Sequence, residues 1–429
     1  MDDYMRNNIM YRQTRRPHRL VGKEAMLAGQ SIWNYIGMRY GESNISSILN
    51  LTRIVRDEKD AIASTLGLPF DDFLEEWKEF YKDMAKKALD DHEALEFDTR
   101  LKKQNPKRKV FNEVKISPDG RYIAYSENRN GHYAVFVRDT KRKMKRKAIF
   151  RGGFRMNAQR INERVPLLAW SDDNKLAICH KHKGKTRFKI LQINGKKKKE
   201  INKAEFEFFN QVMSFDISAD GSTLAISSDR TGSAGVQVGM NDIYLYDLRN
   251  LYMKRLSTDL YDDTDPIFVG TSNEVIIFSS NRPADSLNTA PGTFRSVGEN
   301  YDLFYYNPQE SANKLVRLTR SSQKERQPAF LDERTILYLS ESNGISNLYS
   351  LDLVSKETRQ LTNARQSIKC YGVSPATKDV AFRAWHKKQE RLLLKRNFDF
   401  ARSAKFVTTP RLEYLAKKGV IEKPQANLA

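Results

Sequence analysis

The fold of this chain is decided by the stretch ISPDGRYIAY at residues 116–125. The same pattern, a turn followed by an apolar strand, recurs five more times. The recurrences are WSDDNKLAI (170–178), ISADGSTLAI (217–226), TSNEVIIF (271–278), LDERTILY (331–338) and SPATKDVAF (374–382). Self-similarity at this spacing is the signature of a repeat architecture, so it outweighs any single residue in predicting the fold.

Each copy joins two strands through a tight turn. In the first copy Pro118 presets the backbone φ, Asp119 accepts local hydrogen bonds, and Gly120 supplies a positive φ. A third strand follows, as at 242–248, and a fourth closes the unit, as at 254–258. Four strands in each of six units predict a mainly β protein, a six-bladed β-propeller whose closed ring protects its sheet edges.

Composition agrees with this interpretation. The 429 residues include 22 Phe and 19 Tyr, and 39% of the chain is hydrophobic, which is enough for domains with their own cores. No stretch approaches the ~18 apolar residues that cross a bilayer, and no signal peptide is recognisable. Met1 leads directly into polar residues and an amphipathic helix, which predicts that the sequence is a fragment of a longer protein.

Positive charge is concentrated in one part of the chain. The formal net charge is +21, and residues 138–203 contain 22 Lys and Arg against 5 Asp and Glu. Two dense runs fall at the predicted third-to-fourth strand turns of neighbouring blades, so they should lie side by side on the face of the Asp-Gly turns. The runs are Lys141, Arg142, Lys143, Lys145, Arg146 and Lys147, and then Lys196, Lys197, Lys198 and Lys199.

These two runs predict a basic patch for an anionic partner. An acidic protein, an anionic glycan and lipid head groups are all compatible with it. Nucleic acid is disfavoured, because the runs lack interleaved aromatic residues on which bases could stack and belong to no known reading module. A solvated surface without a partner is the alternative.

The opposite face carries two second-to-third strand loops that are much longer than the others. They run from 229 to 241 in the third blade and from 281 to 300 in the fourth. Long insertions on one face of a repeat array usually mark the binding side. The residues predicted to form a partner site there are Arg230, Asn281, Arg282, Phe294 and Arg295. Ordinary surface loops are the alternative.

The repeat resembles the TolB-type WD-like repeat over residues 108–408. The resemblance is carried by the Ser-Pro-Asp-Gly turn, the strands IAYS (123–126) and YLYD (244–247), and the RLT ending (317–319), although the fourth and sixth copies depart from the turn sequence. It implies a non-catalytic scaffold that binds proteins in the bacterial periplasm or at the outer membrane. Prolyl-oligopeptidase propellers use nearly the same repeat, so the motif is specific for fold rather than for function.

Before the propeller, residues 1–101 predict a helical module, with 102–107 as a linker; residues 409–429 form a C-terminal tail. Apolar residues recur at helical spacing through the module. The segments GQSIWNYI (29–36) and FLEEW (73–77) are similar to the closing helices of peptidase-MA-like (gluzincin) domains, which can precede TolB-like propellers in envelope proteins of Bacteroidetes. The zinc-binding HExxH helix of that family would lie before residue 1, so no catalytic residue is carried over.

The other sequence patterns that could indicate catalysis or metal binding lack the residue spacing or the surrounding charge that those functions require. His92 is followed four residues later by Glu96 rather than His, which predicts an exposed helix end. His180 lies in a basic loop that repels a cation, and Cys179 and Cys370 are interpreted as buried free thiols. We therefore expect no enzyme activity, no cofactor and no metal. The alternative is a regulatory or substrate-gating propeller of a hydrolase, metallopeptidase or prolyl-oligopeptidase-like, whose catalytic domain lies outside this chain.

Overall fold

The computed structural model describes residues 1–10, 17–103, 110–141, 146–153, 164–172, 174–195, 197–230, 240–287, 298, 300–386 and 389–422. The chain divides into two compact units. A helical unit contains Met1–Ala94 with Thr409–Arg411, and a propeller unit is formed mainly by Leu95–Thr408.

The helices are α1 (Asp2–Met10), α2 (Lys23–Arg39), α3 (Ser43–Val55), α4 (Glu58–Leu66), α5 (Phe70–Asp91) and α6 (Pro410–Lys417), with a short 3-10 helix at Pro17–Arg19. The core of the helical unit contains Phe73 and Trp77 of α5 together with Tyr35 of α2, all buried. The predicted amphipathic helices are thus present. Within α3 only Ile48 is buried, because most of the apolar residues of that helix face outward or lie at the margin of the core.

The described residues of the propeller unit form twenty-four strands. In chain order they are β1 Thr99–Lys103, β2 Val110–Ile116, β3 Tyr122–Arg129, β4 His132–Asp139, β5 Arg146–Gly152, β6 Leu167–Trp170, β7 Lys175–His182, β8 Lys185–Asn194, β9 Lys197–Phe206, β10 Phe209–Ile217, β11 Thr223–Arg230, β12 Asp242–Asp247, β13 Tyr252–Arg255, β14 Asp263–Phe268, β15 Ile276–Ser280, β16 Asp302–Tyr306, β17 Leu315–Arg317, β18 Glu325–Phe330, β19 Thr335–Ser340, β20 Asn347–Asp352, β21 Thr358–Gln360, β22 Ile368–Val373, β23 Val380–His386 and β24 Gln389–Lys395.

The strands form six antiparallel four-stranded sheets. Their orders are β2-β3-β4-β5, β6-β7-β8-β9, β10-β11-β12-β13, β14-β15-β16-β17, β18-β19-β20-β21 and β1-β24-β23-β22, which we number blades 1 to 6. The innermost strands of blades 1 to 6 are β2, β6, β10, β14, β18 and β22. Each contacts the innermost strand of the next blade, and β22 contacts β2, so these strands form a closed ring. The prediction of a mainly β, six-bladed propeller with N-terminal helices is confirmed.

The repeated turn has the structure that its residues predict. In blade 3 the Ser218 hydroxyl donates to Asp220 Oδ1 at 2.7 Å, the amide of Ser222 donates to the same oxygen at 2.9 Å, and Gly221 has φ 73°. Burial alone would raise the pKa of Asp220, but these hydrogen bonds to its charged form lower it to about 2. The Asp carboxylate therefore holds the turn closed.

In blades 3, 4 and 5 the hydroxyl residue two positions after the fourth strand also has a defined role. Ser257, Thr319 and Thr362 accept hydrogen bonds from amides of third strands in blades 3, 4 and 5, at 3.0, 2.9 and 3.0 Å respectively. The short fourth strand leaves these donors without a ladder partner, and buried amides require one. The recurring Leu-Ser/Thr ending is thus a structural feature of the repeat.

The ring is closed by a strand that precedes the first repeat. Strand β1 is the outermost strand of blade 6, where Thr99 pairs with Leu394 and Arg100 with Leu393. Strand β1 therefore belongs to the propeller, although residues 99–101 were assigned above to the helical module and residues 102 and 103 to the linker. Residues 104–109 lie outside the described residues. The boundary was misplaced because β1 carries no copy of the turn motif.

Blades 6 and 1 approach each other closely at Gly372. A Cβ atom built there would lie 2.6 Å from Lys115 Cα and 2.7 Å from the Val114 carbonyl oxygen, both in the backbone of β2. We expect Gly372→Ala to lower the free energy of unfolding by about 2–3 kcal/mol, because two inner strands would have to move apart. Urea unfolding measures this, with Gly270→Ala as the control.

At Gly270 an added Cβ meets no atom within 4 Å, so only the strain of a φ of 60° is added. A smaller loss, about 1 kcal/mol, is expected for this control. Equal losses of stability for the two variants would show that the close approach of β22 to β2 is not the reason why alanine destabilises the protein at Gly372.

Candidate binding surfaces

The described residues of the two basic runs lie in adjacent blades. The amide of Gly195, between β8 and β9, donates to the Tyr122 hydroxyl of blade 1 at 2.7 Å, and Lys198 Nζ donates to the Ile149 carbonyl oxygen of β5. Arg142, Lys143, Lys145 and Lys196 lie outside the described residues. Lys197, Lys198 and Lys199 belong to β9 itself rather than to the turn, so the basic surface extends along the outer strands.

We name the described part of this surface the basic rim. It consists of Lys141, Arg146, Lys147, Lys197, Lys198, Lys199 and Lys203. Part of its charge is engaged within the protein: Arg146 pairs with the buried carboxylate of Glu127 at 3.1 Å and lies 3.4 Å from the ring centroid of Phe136. Lys102 of β1 contacts the same carboxylate, so Glu127 joins blade 1 to the closing strand. Arg146 and Lys198 are consequently structural as well as basic.

Further positive charge is neutralised across strands β8 and β9. Lys189 pairs with Glu200 at 2.8 Å, and Arg187 pairs with Glu205. Such cross-strand pairs stabilise a sheet modestly and reduce the field that the surface projects. The local excess counted from sequence thus overstates the charge available to a partner.

Three lysines of β9 keep their charge available. Lys197, Lys199 and Lys203 are exposed, and within the described part of the chain their ammonium groups have no ion pair or hydrogen bond. Lys141 is likewise exposed at the end of β4. Within the predicted patch, Lys141, Lys197 and Lys199 can therefore meet an anion without first breaking an internal contact; Lys203, which was not part of that prediction, can do so as well.

The predicted loop site on the opposite face needs one correction. Arg282 is 2% exposed, and its guanidinium donates to Asp259 Oδ2 at 3.0 Å and to both oxygens of Asp263 at 2.8 and 2.7 Å. It is therefore a buried structural arginine, not a residue that awaits a partner. The Arg230 side chain, Phe294 and Arg295 lie outside the described residues.

Asp262, which sequence reasoning missed, ties the two long loops together. Its Oδ1 accepts from the backbone amide of Asn241 at 3.0 Å, and its Oδ2 accepts from the Tyr301 hydroxyl at 2.5 Å. Its own amide donates to Asn281 Oδ1 at 2.8 Å. The end of the blade 3 loop and both ends of the blade 4 loop thus meet at one residue. The acidic stretch 261–265 was the signal in the sequence.

Several polar residues of the inner strands bridge neighbouring blades. Asp216 Oδ2 accepts from the amide of Phe268 at 3.0 Å, and Asp265 Oδ2 accepts from the amide of Gln327 at 3.1 Å. Among the described residues the inner strands of different blades share no ladder, so these side chains supply the missing acceptors. Burial raises the pKa of Asp216 to about 6. The hydrogen bonds that these carboxylates accept from neighbouring blades account for their position without a catalytic role.

The remaining candidates for chemistry are buried. His180 packs 4.6 Å from the Phe150 ring, and burial lowers its pKa to about 4. Burial raises the pKa of the Cys370 thiol to about 11, and Cys179 is also a buried free thiol. His92, predicted to be exposed, is 2% exposed, with Nδ1 2.8 Å from the Ala88 carbonyl oxygen. Among the described residues, no three His, Cys, Asp or Glu side chains could share a metal ion.

These observations define a six-bladed β-propeller with a basic rim on its first two blades and a helical unit in the same chain. No protein-family model and no curated protein matches it. Within the described residues, none of the helices combines the length and the apolar character needed to span a bilayer.

Among solved structures, TolB from Acinetobacter baumannii is similar with 16% identity and a TM-score of 0.41, over 68% of this chain and 64% of that chain. A putative TolB from Agrobacterium tumefaciens shows 14% identity and a TM-score of 0.43, over 69% and 92% respectively. The β-propeller domain of the Trilobed protease from Pyrococcus furiosus shows 17% identity and a TM-score of 0.42, over 68% and 85%. The chain thus spans less than two thirds of the first of these proteins. The likeness concerns fold alone.

Proposed function

We propose that this chain is a non-catalytic binding scaffold of the bacterial cell envelope, periplasmic or associated with the outer membrane, and that its basic rim receives an acidic protein. The observation that carries the proposal is the set of exposed lysines on β9, Lys197, Lys199 and Lys203, whose ammonium groups make no ion pair or hydrogen bond among the described residues. Exposed cations without internal ion pairs raise the local concentration of an anionic partner and steer its approach.

The absence of a catalytic role is part of the same proposal. It is supported by the structural use of the buried titratable groups in the described propeller: Asp216 bridges blades, and His180 packs against an aromatic ring. The origin of the helical unit in a peptidase-MA-like domain stays a prediction, as does the assignment to Bacteroidetes.

Binding of poly-L-glutamate to the full chain tests the proposal. We expect the triple variant Lys197→Glu/Lys199→Glu/Lys203→Glu to bind this probe at least about tenfold more weakly in isothermal titration calorimetry, and wild-type affinity to fall as salt rises. The matched control is Lys254→Glu/Lys314→Glu/Lys378→Glu, which changes net charge equally at exposed lysines of other blades.

Equal weakening by the two triple variants would show that net charge, not the basic rim, governs binding. Heparin, phosphatidylglycerol vesicles and single-stranded DNA are the competing probes for a glycan, a lipid surface and a nucleic acid. Tighter, rim-dependent binding of any of these than of poly-L-glutamate would overturn the assignment of a protein partner.

A further inference from the structure

Strand β9 differs from the other outermost strands of the propeller in its length. It contains 10 residues. The outermost strands of the other blades, β5, β13, β17, β21 and β1, contain 7, 4, 3, 3 and 5 residues. Short outer strands are one way in which proteins protect a sheet edge from pairing with another chain. Blade 2 does not use this protection.

The outer edge of β9 is unpaired within the described structure. Its sheet partner is β8 alone, so one row of its backbone amide and carbonyl groups faces away from the sheet. The pairing with β8 is regular from Lys197 to Glu200 and shifts at Ile201, where the strand bulges. The regular segment 197–200 is thus a straight edge with backbone donors and acceptors available for a further strand.

The side chains of this segment give the edge a charge preference. Lys198 reaches toward blade 1, where it donates to the Ile149 carbonyl oxygen. Since side chains alternate along a strand, Lys197 and Lys199 project to the opposite side, about 7 Å apart. Both are exposed and have no hydrogen bond or ion pair among the described residues. A second β9 edge would set lysine beside lysine, so pairing with another copy is disfavoured.

We propose that the partner contributes an extended acidic segment that adds to the outer edge of β9 at residues 197–200, as a fifth strand of blade 2. Backbone hydrogen bonds would fix the segment, and carboxylates at alternate positions, with the same 7 Å repeat, would lie beside Lys197 and Lys199. This inference rests on the proposed function and specifies how the partner is bound.

The test uses the full chain and two synthetic peptides of equal charge. One alternates threonine and glutamate over eight residues, and the other replaces the threonines with proline, which cannot donate to a strand ladder. By calorimetry we expect the threonine peptide to bind about tenfold or more tightly than the proline peptide. Hydrogen exchange should slow in β9 when the threonine peptide is bound, and should not change in β13 of blade 3.

The double variant Lys197→Glu/Lys199→Glu should lose this protection, whereas Lys254→Glu/Lys314→Glu should keep it. If the charge-reversed chain fails to fold, the comparison of the two peptides on the wild-type chain still decides. Equal affinity of the two peptides with unchanged exchange in β9 would overturn strand addition and leave the acidic partner in place. Failure of both peptides and of poly-L-glutamate to bind would overturn both proposals.

Discussion

Replacing Arg282 with methionine is expected to lower the free energy of unfolding by about 3–5 kcal/mol. The guanidinium is completely buried and pairs with two carboxylates, Asp259 and Asp263, that are themselves buried. It also donates to the Ser280 hydroxyl at 3.0 Å and to the Ser286 carbonyl oxygen at 2.8 Å. Methionine occupies a similar volume but leaves both carboxylates without a counter-ion in a place that water cannot reach. Urea unfolding followed by tryptophan fluorescence measures the loss.

The matched control is Arg320→Met. Arg320 belongs to the same blade and also pairs with a carboxylate, Asp285, at 3.6 Å, but its side chain is 75% exposed. An exposed ion pair contributes at most about 1 kcal/mol, so this variant should unfold almost as wild type does. Losses of similar size for the two variants would contradict the structural role of Arg282.

Replacing Glu325 with glutamine is expected to remove a pH dependence of stability. Glu325 is 2% exposed, and its Oε2 has no hydrogen-bond partner among the described residues. Burial raises its pKa to about 8, with the carboxylate of Asp302 adding to the rise and the hydroxyl groups of Thr319 and Ser321 opposing it. The folded protein therefore holds a proton that the unfolded chain releases near pH 4.5.

The direction of the effect follows from proton linkage. Between pH 4.5 and 8 the folded state binds more protons at Glu325 than the unfolded state, so the free energy of unfolding falls as pH rises and the loss is complete above about pH 8. The full difference amounts to about 5 kcal/mol at most. We expect Glu325→Gln to be close to wild type at pH 5 and more stable than wild type at pH 9.

Urea unfolding at these two pH values, compared between wild type and variant, isolates Glu325 from other groups that titrate in the same interval, such as Asp216 and Asp242. Glu333→Gln, at an exposed position, is the control and should follow wild type at both values. A variant that loses stability with pH as steeply as wild type would show that Glu325 is ionised in the folded protein.

Arg282 also shows where sequence reasoning met its limit. The segment Asn281-Arg282-Pro283 follows a strand and opens a long loop, a context in which an arginine usually faces solvent. Its burial depends on Asp259 and Asp263, which lie in the preceding connection and strand. Nothing local to Arg282 distinguishes it from an exposed loop arginine.

What the sequence determined by itself was the six-fold repeat, and with it the propeller, the strand order within most blades and the neighbouring positions of the two basic runs. Those conclusions depend on local information, because a turn such as Ser218 to Ser222 is held by contacts among residues close in the chain. Burial of Cys179 and Cys370 could also be anticipated, because both lie within apolar strands of the repeat.

The tertiary structure alone decided which charges are available and how the ring closes. Strand β1 pairs with β24, which lies nearly 300 residues later in the chain. Glu127 forms ion pairs with Lys102 and Arg146, which belong to two different blades. Pairings of this kind are set by the global arrangement of the blades, which no local pattern encodes. For that reason the sequence could count the lysines of the basic rim, but only the folded chain separates Lys197 and Lys199, exposed on the outer strand of blade 2, from those that hold the blades together.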